Sequence, residues 1–425
     1  MERNNINARA KRPQSNRVTE GVRPEERRTS DSRTLDSRIS DSRTSDSRTS
    51  NRRTKRRVNY FDYSFLFVII FLLCFGTLML YSASSYSSLI KFNDSTYYLK
   101  KQMIALILGV VALLFFTFAD YRAWRKVAFP IFGASVLIVF VVLSPLGVEL
   151  NGAKRWINLG VTTFQPAELV KLTVILYIAH LICKNYRHLT EVRIIAKILG
   201  AALVAAGVVA VVTSNLSSGI IIFGIAVVML FVASPQYLLY IGVGIGFVAL
   251  VGVFLGVAML TGSAFRVARI KVWLDPLSDA AGKGYQILQG LYAIGSGGMF
   301  GKGLGQSVQK MGYIPEAQND YVFTIICEEL GLVGALSVIL LFIFIIKRMA
   351  VISSNAPDLY GTMVVVGVMA QISIQVILNI AVVTNSIPNT GVTLPFISYG
   401  GTSLAFLMSE VGLVLSVSKR IKRVR

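Results

Sequence analysis

Ten apolar stretches, each close to the ~20 residues needed to cross a hydrocarbon core as a helix, leave this chain little room for any other architecture. They run over about 62–83, 102–119, 127–146, 165–183, 194–213, 218–234, 237–260, 320–346, 359–383 and 402–418. In lipid every backbone N–H and C=O must find a partner inside the protein, so runs of this length predict helices. The expected fold is an all-α polytopic membrane protein of about ten transmembrane helices, with a long extracytoplasmic loop, 261–319, between helices seven and eight. Only Ser214–Ser217 separates the fifth stretch from the sixth, which predicts a tight hairpin.

Charge sets the orientation. The chain is 54% hydrophobic yet carries a formal net charge of +21. Lys and Arg are retained on the cytoplasmic side, and with ten spans both termini lie there. The inside segments are then 120–126 with Arg122, Arg125 and Lys126, 184–193 with Lys184, Arg187 and Arg193, 347–358 with Lys347 and Arg348, and the end Lys419–Arg423. The basic charge sits in a tail and between apolar runs, so anionic lipid is the simpler partner and no nucleic acid is expected.

Residues 1–58 have too few apolar side chains to offset their ordering entropy. A five-residue repeat built on Asp-Ser-Arg runs from Asp31 to Ser50, and no short apolar core of the signal-peptide kind precedes it. This part reads as a disordered basic cytoplasmic tail, ending in an anchor at Arg52–Arg57. The membrane domain is expected over 59–420 and a basic cytoplasmic C-terminus over 421–425. Cys74, Cys183 and Cys327 lie far apart in apolar runs and suggest packing rather than a disulfide framework or metal site.

The outward segments 84–101, 147–164 and 261–319 also hold cations, among them Lys154, Arg155, Arg266, Arg269, Lys271, Lys283, Lys302 and Lys310. Positive charge kept outside against the insertion bias suggests an anionic ligand there; solvated loop charge is the plainer alternative. The loop 261–319 is too long for an idle connection. Ile287, Leu288, Leu291 and Ile294 predict a short amphipathic helix, and the glycines of 295–305 allow tight turns beside a ligand. Asp320 lies at the start of the eighth stretch, where it either caps the helix or acts as a general base, with Glu316 a second carboxylate in reach.

Within the membrane, ionisable residues default to a functional hypothesis. Glu168 and Lys171 share one helix face as an i, i+3 pair; Glu328 and Glu329 lie in the eighth span and Glu410 in the tenth. A Glu bridging to Lys171 to fix helix packing is the structural alternative. His180 reads as interfacial, and Trp156 as an interfacial aromatic. The segment 387–403, with two prolines and three glycines, cannot be a regular helix and predicts a re-entrant element lining a cavity.

Three segments together resemble one family. Asn151–Trp156 through Gln165–Lys171, the block Gly284–Glu329, and Gly391–Ser403 look like the signatures of the SEDS proteins, which include FtsW, RodA and SpoVE. The resemblance spans about 60–420 and implies ten membrane helices and polymerisation of lipid II into glycan strands. By position Asp320 matches the family's catalytic aspartate, in a motif where Ile314 and Tyr321 replace Leu and Phe. The Glu168–Lys171 pair matches a charged pair beside a central cavity, and Ala167 and Thr402 stand where serine is common. Glu410 matches no motif.

The resemblance implies substrate contacts from Lys154, Arg155, Trp156, Glu168, Lys171, Gln286, Lys302, Glu316, Ser398 and Ser403. It implies a donor glycan on undecaprenyl pyrophosphate, with Lys154, Arg155, Lys171 or the loop lysines facing the leaving group. A divalent cation, Mg or Mn, could share that role, although no ligand set is visible in the sequence. A class B penicillin-binding transpeptidase, docked through helices eight and nine, and other division proteins are the implied partners at the bacterial plasma membrane. The tail and the run Asn389–Pro395 lean toward the division-type branch and the septum. A lipid II flippase and a non-catalytic division scaffold remain the alternatives.

Overall fold

The computed structural model describes residues 57–150, 153–158, 163–234, 236, 240–246, 249, 252, 253, 256, 271–282 and 284–424. The expected tail up to residue 56, and Arg266, Arg269 and Lys283, lie outside the described residues. Among those described, nine helices are long and apolar enough to span a bilayer. They are α1 (Tyr63–Phe92), α2 (Tyr97–Phe118), α3 (Tyr121–Phe140, extended by one turn of 3-10 helix to Leu143), α4 (Pro166–Lys184), α5 (Val192–Val212) and α6 (Leu216–Ala233). A short α7 (Tyr285–Ser296) precedes the last three, α8 (Val322–Ser354), α9 (Leu359–Val383) and α10 (Thr402–Lys419). Much of the expected seventh span, 237–260, lies outside the described residues; the described positions within 240–256 are helical. Helix α1 runs on to Phe92, through residues expected in an outward loop, because 84–92 continues a helix-compatible run until Asn93 ends it in the left-handed conformation.

Helices α4, α9 and α10 are buried along most of their length, whereas α2 and α3 keep large apolar side chains such as Ile107, Phe115, Phe129 and Leu137 exposed. The first group forms the centre of the bundle and the second faces lipid, as expected when the surrounding solvent is itself apolar. The packed pairs include α2 with α10, α5 with α6, α3 with α4, and α9 with α8, α6 and α4.

One end of the bundle is tied by charge. Asp62 caps α1 through Phe65 N–H (3.0 Å), accepts from Arg348 on α8 (2.6 Å), and takes its own N–H to Ser418 on α10 (3.1 Å). Asp358 caps α9 through Gly361 N–H (2.8 Å) and accepts from Tyr121 and Arg122 of α3, both at 2.7 Å. A carboxylate at a helix start satisfies orphan N–H groups and complements the dipole.

The all-α expectation takes two small additions. Strand β1 (Arg57–Tyr60) pairs antiparallel with β5 (Ile421–Val424), so 57–58 and 421–424, expected as loose ends, form a ribbon. At the other end β2 (Gly147–Leu150), β3 (Ala153–Asn158) and β4 (Thr163–Phe164) form a three-stranded antiparallel sheet. The Asn151-Gly152 dipeptide between β2 and β3 is a strong hairpin signal.

Helix α8 is broken once, at Gly331 (φ 67°, ψ −165°). Lys302 and Gly303 donate their N–H groups to the Glu328 and Glu329 carbonyls, at 2.9 and 3.0 Å. Leu332 and Val333 donate to the Gly298 and Met299 carbonyls, at 2.9 and 3.1 Å. The glycine run therefore docks into the break and satisfies the backbone groups it frees, which is what membrane burial demands. A Cβ on Gly331 would lie 2.3 Å from Gly301 N, so the approach admits no side chain.

Candidate active site

The buried charges in α8 hold this loop in place. Glu328 accepts from Lys302 Nζ (2.7 Å), Val308 N–H (3.1 Å) and the Ser307 hydroxyl. Glu329 accepts from Lys310 Nζ (2.8 Å) and the Ser82 hydroxyl of α1 (2.6 Å). Both glutamates are fully buried and Lys310 is 7% exposed. Lys302 and Lys310, expected among the cations facing a pyrophosphate, are thus each paired with a buried carboxylate of α8, Lys310 buried and Lys302 about a third exposed. The Glu that meets Lys171 is its own neighbour, Glu168, at 2.7 Å, rather than Glu328 or Glu329.

Just beyond this anchor the chain makes a turn at 314–320 and enters α8. Asp320 stands one residue before the N-cap, which is Tyr321 and makes no side-chain cap bond. Asp320 is half-buried. Its backbone carbonyl accepts from Asn379 Nδ2 of α9 (2.8 Å), and the same nitrogen donates to Val392 O (2.7 Å). Gly391 (φ 67°) passes beside the carboxylate; a Cβ there would lie 3.8 Å from Asp320 Oδ2. Tyr321 is buried with its ring against Gly290 of α7, and its hydroxyl lies 3.4 Å from Asn389 Nδ2. Burial pushes the Tyr321 phenol above its usual range, and the adjacent Asp320 charge adds to that.

Glu316, expected as a second carboxylate in reach of Asp320, has partners on both oxygens. Oε1 pairs with Lys91 at the end of α1 (2.6 Å), and Oε2 accepts from Gln318 (3.0 Å) and Asn319 (3.1 Å). Gln286 of α7 joins the two loops, donating to Pro315 O (3.1 Å) and lying 3.5 Å from Asn389 Nδ2. Ser398 closes its own turn, accepting from Leu394 N–H at 2.9 Å. Ser403 is buried in the first turn of α10, with its N–H on Gly400 O (2.9 Å). The segment 387–401 is non-helical as expected, and Tyr399 N–H binds Gln318 O (2.9 Å), closing it over the Asp320 turn.

The cations of the β-sheet reach the same end of the bundle. Arg155 donates to Ser214 O in the α5–α6 turn (3.0 Å), and Ser217 three residues on donates to Thr390 O (2.8 Å), next to Gly391. Lys154 is exposed and Trp156 half-buried on β3. Thr402 fastens β4 to α10 through Thr163 O (2.9 Å).

Sequence reasoning missed a polar column on α9. Gln371, Gln375 and Asn379 recur every four residues, all nine-tenths or more buried, and one side-chain oxygen of each has no partner among the described residues. Gln371 donates to Glu410 (2.9 Å), which feels the charges of Lys171 and Glu168. Asn379 reaches Asp320, so the column joins the intramembrane charge cluster to the turn above. Three amides at i, i+4 spacing in an apolar span were the available signal. No three His, Cys, Asp or Glu converge to hold a metal among the described residues.

Fold and site define a polytopic membrane protein with a carboxylate poised at one membrane face above a buried polar column. The sequence matches the model of the cell cycle protein family of FtsW, RodA and SpoVE over residues 63–423. The chain belongs to that family. It is 38% identical to stage V sporulation protein E of Bacillus subtilis (strain 168), over 84% of this chain and 97% of that one. It is 34% identical to a probable peptidoglycan glycosyltransferase FtsW of Geobacter sp. (strain M18), over 86% and 99%. Among solved structures it resembles a chain of a peptidoglycan synthase complex that coordinates polymerization and crosslinking (TM-score 0.70, 27% identity, 85% and 98% covered). The Thermus thermophilus rod shape determining protein RodA is also similar (TM-score 0.61, 26% identity, 85% and 97% covered).

Proposed function

We propose that this protein is a peptidoglycan glycosyltransferase that polymerises lipid II at the outer face of the plasma membrane, with Asp320 as general base. The observation that carries the reading is the placement of Asp320. A half-buried carboxylate outside the N-cap of α8 is held by its backbone, through Asn379, while glycine lies beside its side chain. Its carboxylate takes the proton of the acceptor sugar hydroxyl as that oxygen attacks the donor's anomeric carbon. The new glycosidic C–O bond forms as the bond to undecaprenyl pyrophosphate breaks, with inversion. Lys154 and Arg155, on the sheet at the same end, are the cations that meet the leaving charge. Glu316, Gln286, Ser398 and Ser403 shape the surrounding turns.

Similarity to FtsW and to a complex coupling polymerization with crosslinking supports a class B penicillin-binding transpeptidase as partner and a septal membrane location; the Lys and Arg of the segments between spans support cytoplasmic termini. Purified protein with its transpeptidase, supplied with lipid II, tests the reading against a flippase. Glycan polymer from wild type and none from Asp320→Ala is expected. Equal polymer from both, or lipid II transfer across vesicles without polymer, would refute it.

A further inference from the structure

At the end of the bundle away from Asp320 lies a cavity of about 680 Å³, between the start of α3, the end of α4 and the start of α9. Asp358 caps α9 at this end and Asn379 touches the Asp320 turn near the other, ~30 Å apart at ~1.5 Å per residue. The cavity is thus separate from the candidate active site.

Its wall is basic. Arg122, Arg125, Lys126 and His180 line it together with Asp358 and Tyr360. Asp358 is already engaged by Arg122, Tyr121 and the Gly361 N–H. Arg125 and Lys126 have no carboxylate partner among the described residues, and Lys184 adds to the positive field at His180. Two polar atoms on the same wall are buried with no partner among the described residues: the hydroxyl of Tyr360, a residue 2% exposed, and Nδ1 of His180, whose ring is also hydrogen-bonded to the Arg125 backbone. Buried polar atoms are normally paired, so uncompensated positive charge and unpaired hydrogen-bonding groups coincide at one concave surface.

We propose that this cavity binds a phosphate-bearing anion. Arg125 and Lys126 neutralise the phosphate, while the Tyr360 hydroxyl donates to one of its oxygens. The volume falls within the ~300–1,000 Å³ usual for small-ligand sites. Basic recesses between membrane helices suit anionic lipid headgroups, and a soluble phosphate compound shares the same chemistry.

The test uses the full-length protein in phosphatidylcholine nanodiscs, titrated with short-chain phosphatidylglycerol, inorganic phosphate or pyrophosphate. Binding is read by native mass spectrometry and by thermal shift, neither of which depends on turnover or on the role of Asp320. Saturable binding is expected, weakened at least tenfold in Arg125→Gln/Lys126→Gln and severalfold in Tyr360→Phe. Arg125 and Lys126 are exposed, so the double variant keeps its fold, which an unchanged unliganded Tm verifies. Lys101→Gln, on the opposite face, should bind as wild type does. Phosphatidylglycerol alone saturating assigns a lipid headgroup, and phosphate or pyrophosphate alone a soluble ligand. Binding by both assigns the phosphate group itself. No saturable binding by any probe, or equal binding by wild type and the double variant, overturns the proposal.

Discussion

Removing one member of the Glu329–Lys310 pair should be costly, and removing both should cost much less. At 2.8 Å the gross attraction is about 6 kcal/mol at an effective dielectric of ~20, set against the desolvation of two buried ions. Glu329→Ala leaves the Lys310 ammonium, 7% exposed, with the Ser82 hydroxyl (2.9 Å) as its remaining polar contact among the described residues. Lys310→Ala leaves Glu329 with Ser82 and the Ser307 N–H (3.4 Å). Stranding a buried charge costs about 3–5 kcal/mol, so each single variant should lower Tm by on the order of 5–10 °C. The double variant Glu329→Leu/Lys310→Met strands no charge and should lose only about 1–3 kcal/mol, far below the sum of the singles. Size-exclusion fluorescence after heating in detergent measures all four proteins. Singles within 1 °C of wild type, or a double variant that equals the sum, would refute the reasoning that this pair anchors the glycine loop.

Asn379→Leu removes two hydrogen bonds, to Asp320 O and Val392 O, and should cost about 2–4 kcal/mol. Because it frees the Asp320 turn, lipid II polymerisation measured well below Tm should fall more than folded protein does. Asp358 is held below the usual carboxylate range: burial opposes this, but the Gly361 N–H, Tyr121 and Arg122 together outweigh it. A depressed folded pKa gives stability that is present above the unfolded value, near 3.8, and lost as pH falls through the folded one. Tm should therefore drop between about pH 4 and lower pH, and Asp358→Asn should flatten that part of the Tm–pH curve while starting lower at pH 7.

The spans were legible because the bilayer permits one solution to a 20-residue apolar run. The Glu168–Lys171 pair was legible through its i, i+3 spacing. The ion pairs of Lys302, Lys310 and Glu316 were not, because their partners are distant in sequence: Glu328, Glu329 and Lys91. Local sequence shows that a cation is present; only tertiary packing shows that it is already paired. The three-stranded sheet was half-legible in Asn151-Gly152, and the α9 column in three amides at four-residue spacing within an apolar run. The break at Gly331 was hidden, since one glycine in an apolar run reads as a tolerated helix residue until the 298–303 loop comes against it.

On the proposed mechanism one carboxylate, Asp320, does the chemistry and its neighbour Glu316 only holds the turn. Initial rates of lipid II polymerisation by Asp320→Asn and Glu316→Gln, each with the partner transpeptidase and each matched for Tm, test it most directly. The account predicts a loss of about a hundredfold or more for Asp320→Asn, the usual scale for a general base, and a loss within about tenfold for Glu316→Gln, whose amide still accepts from Gln318 or Asn319. Wild-type rates from Asp320→Asn, or a larger loss from Glu316→Gln, would contradict it.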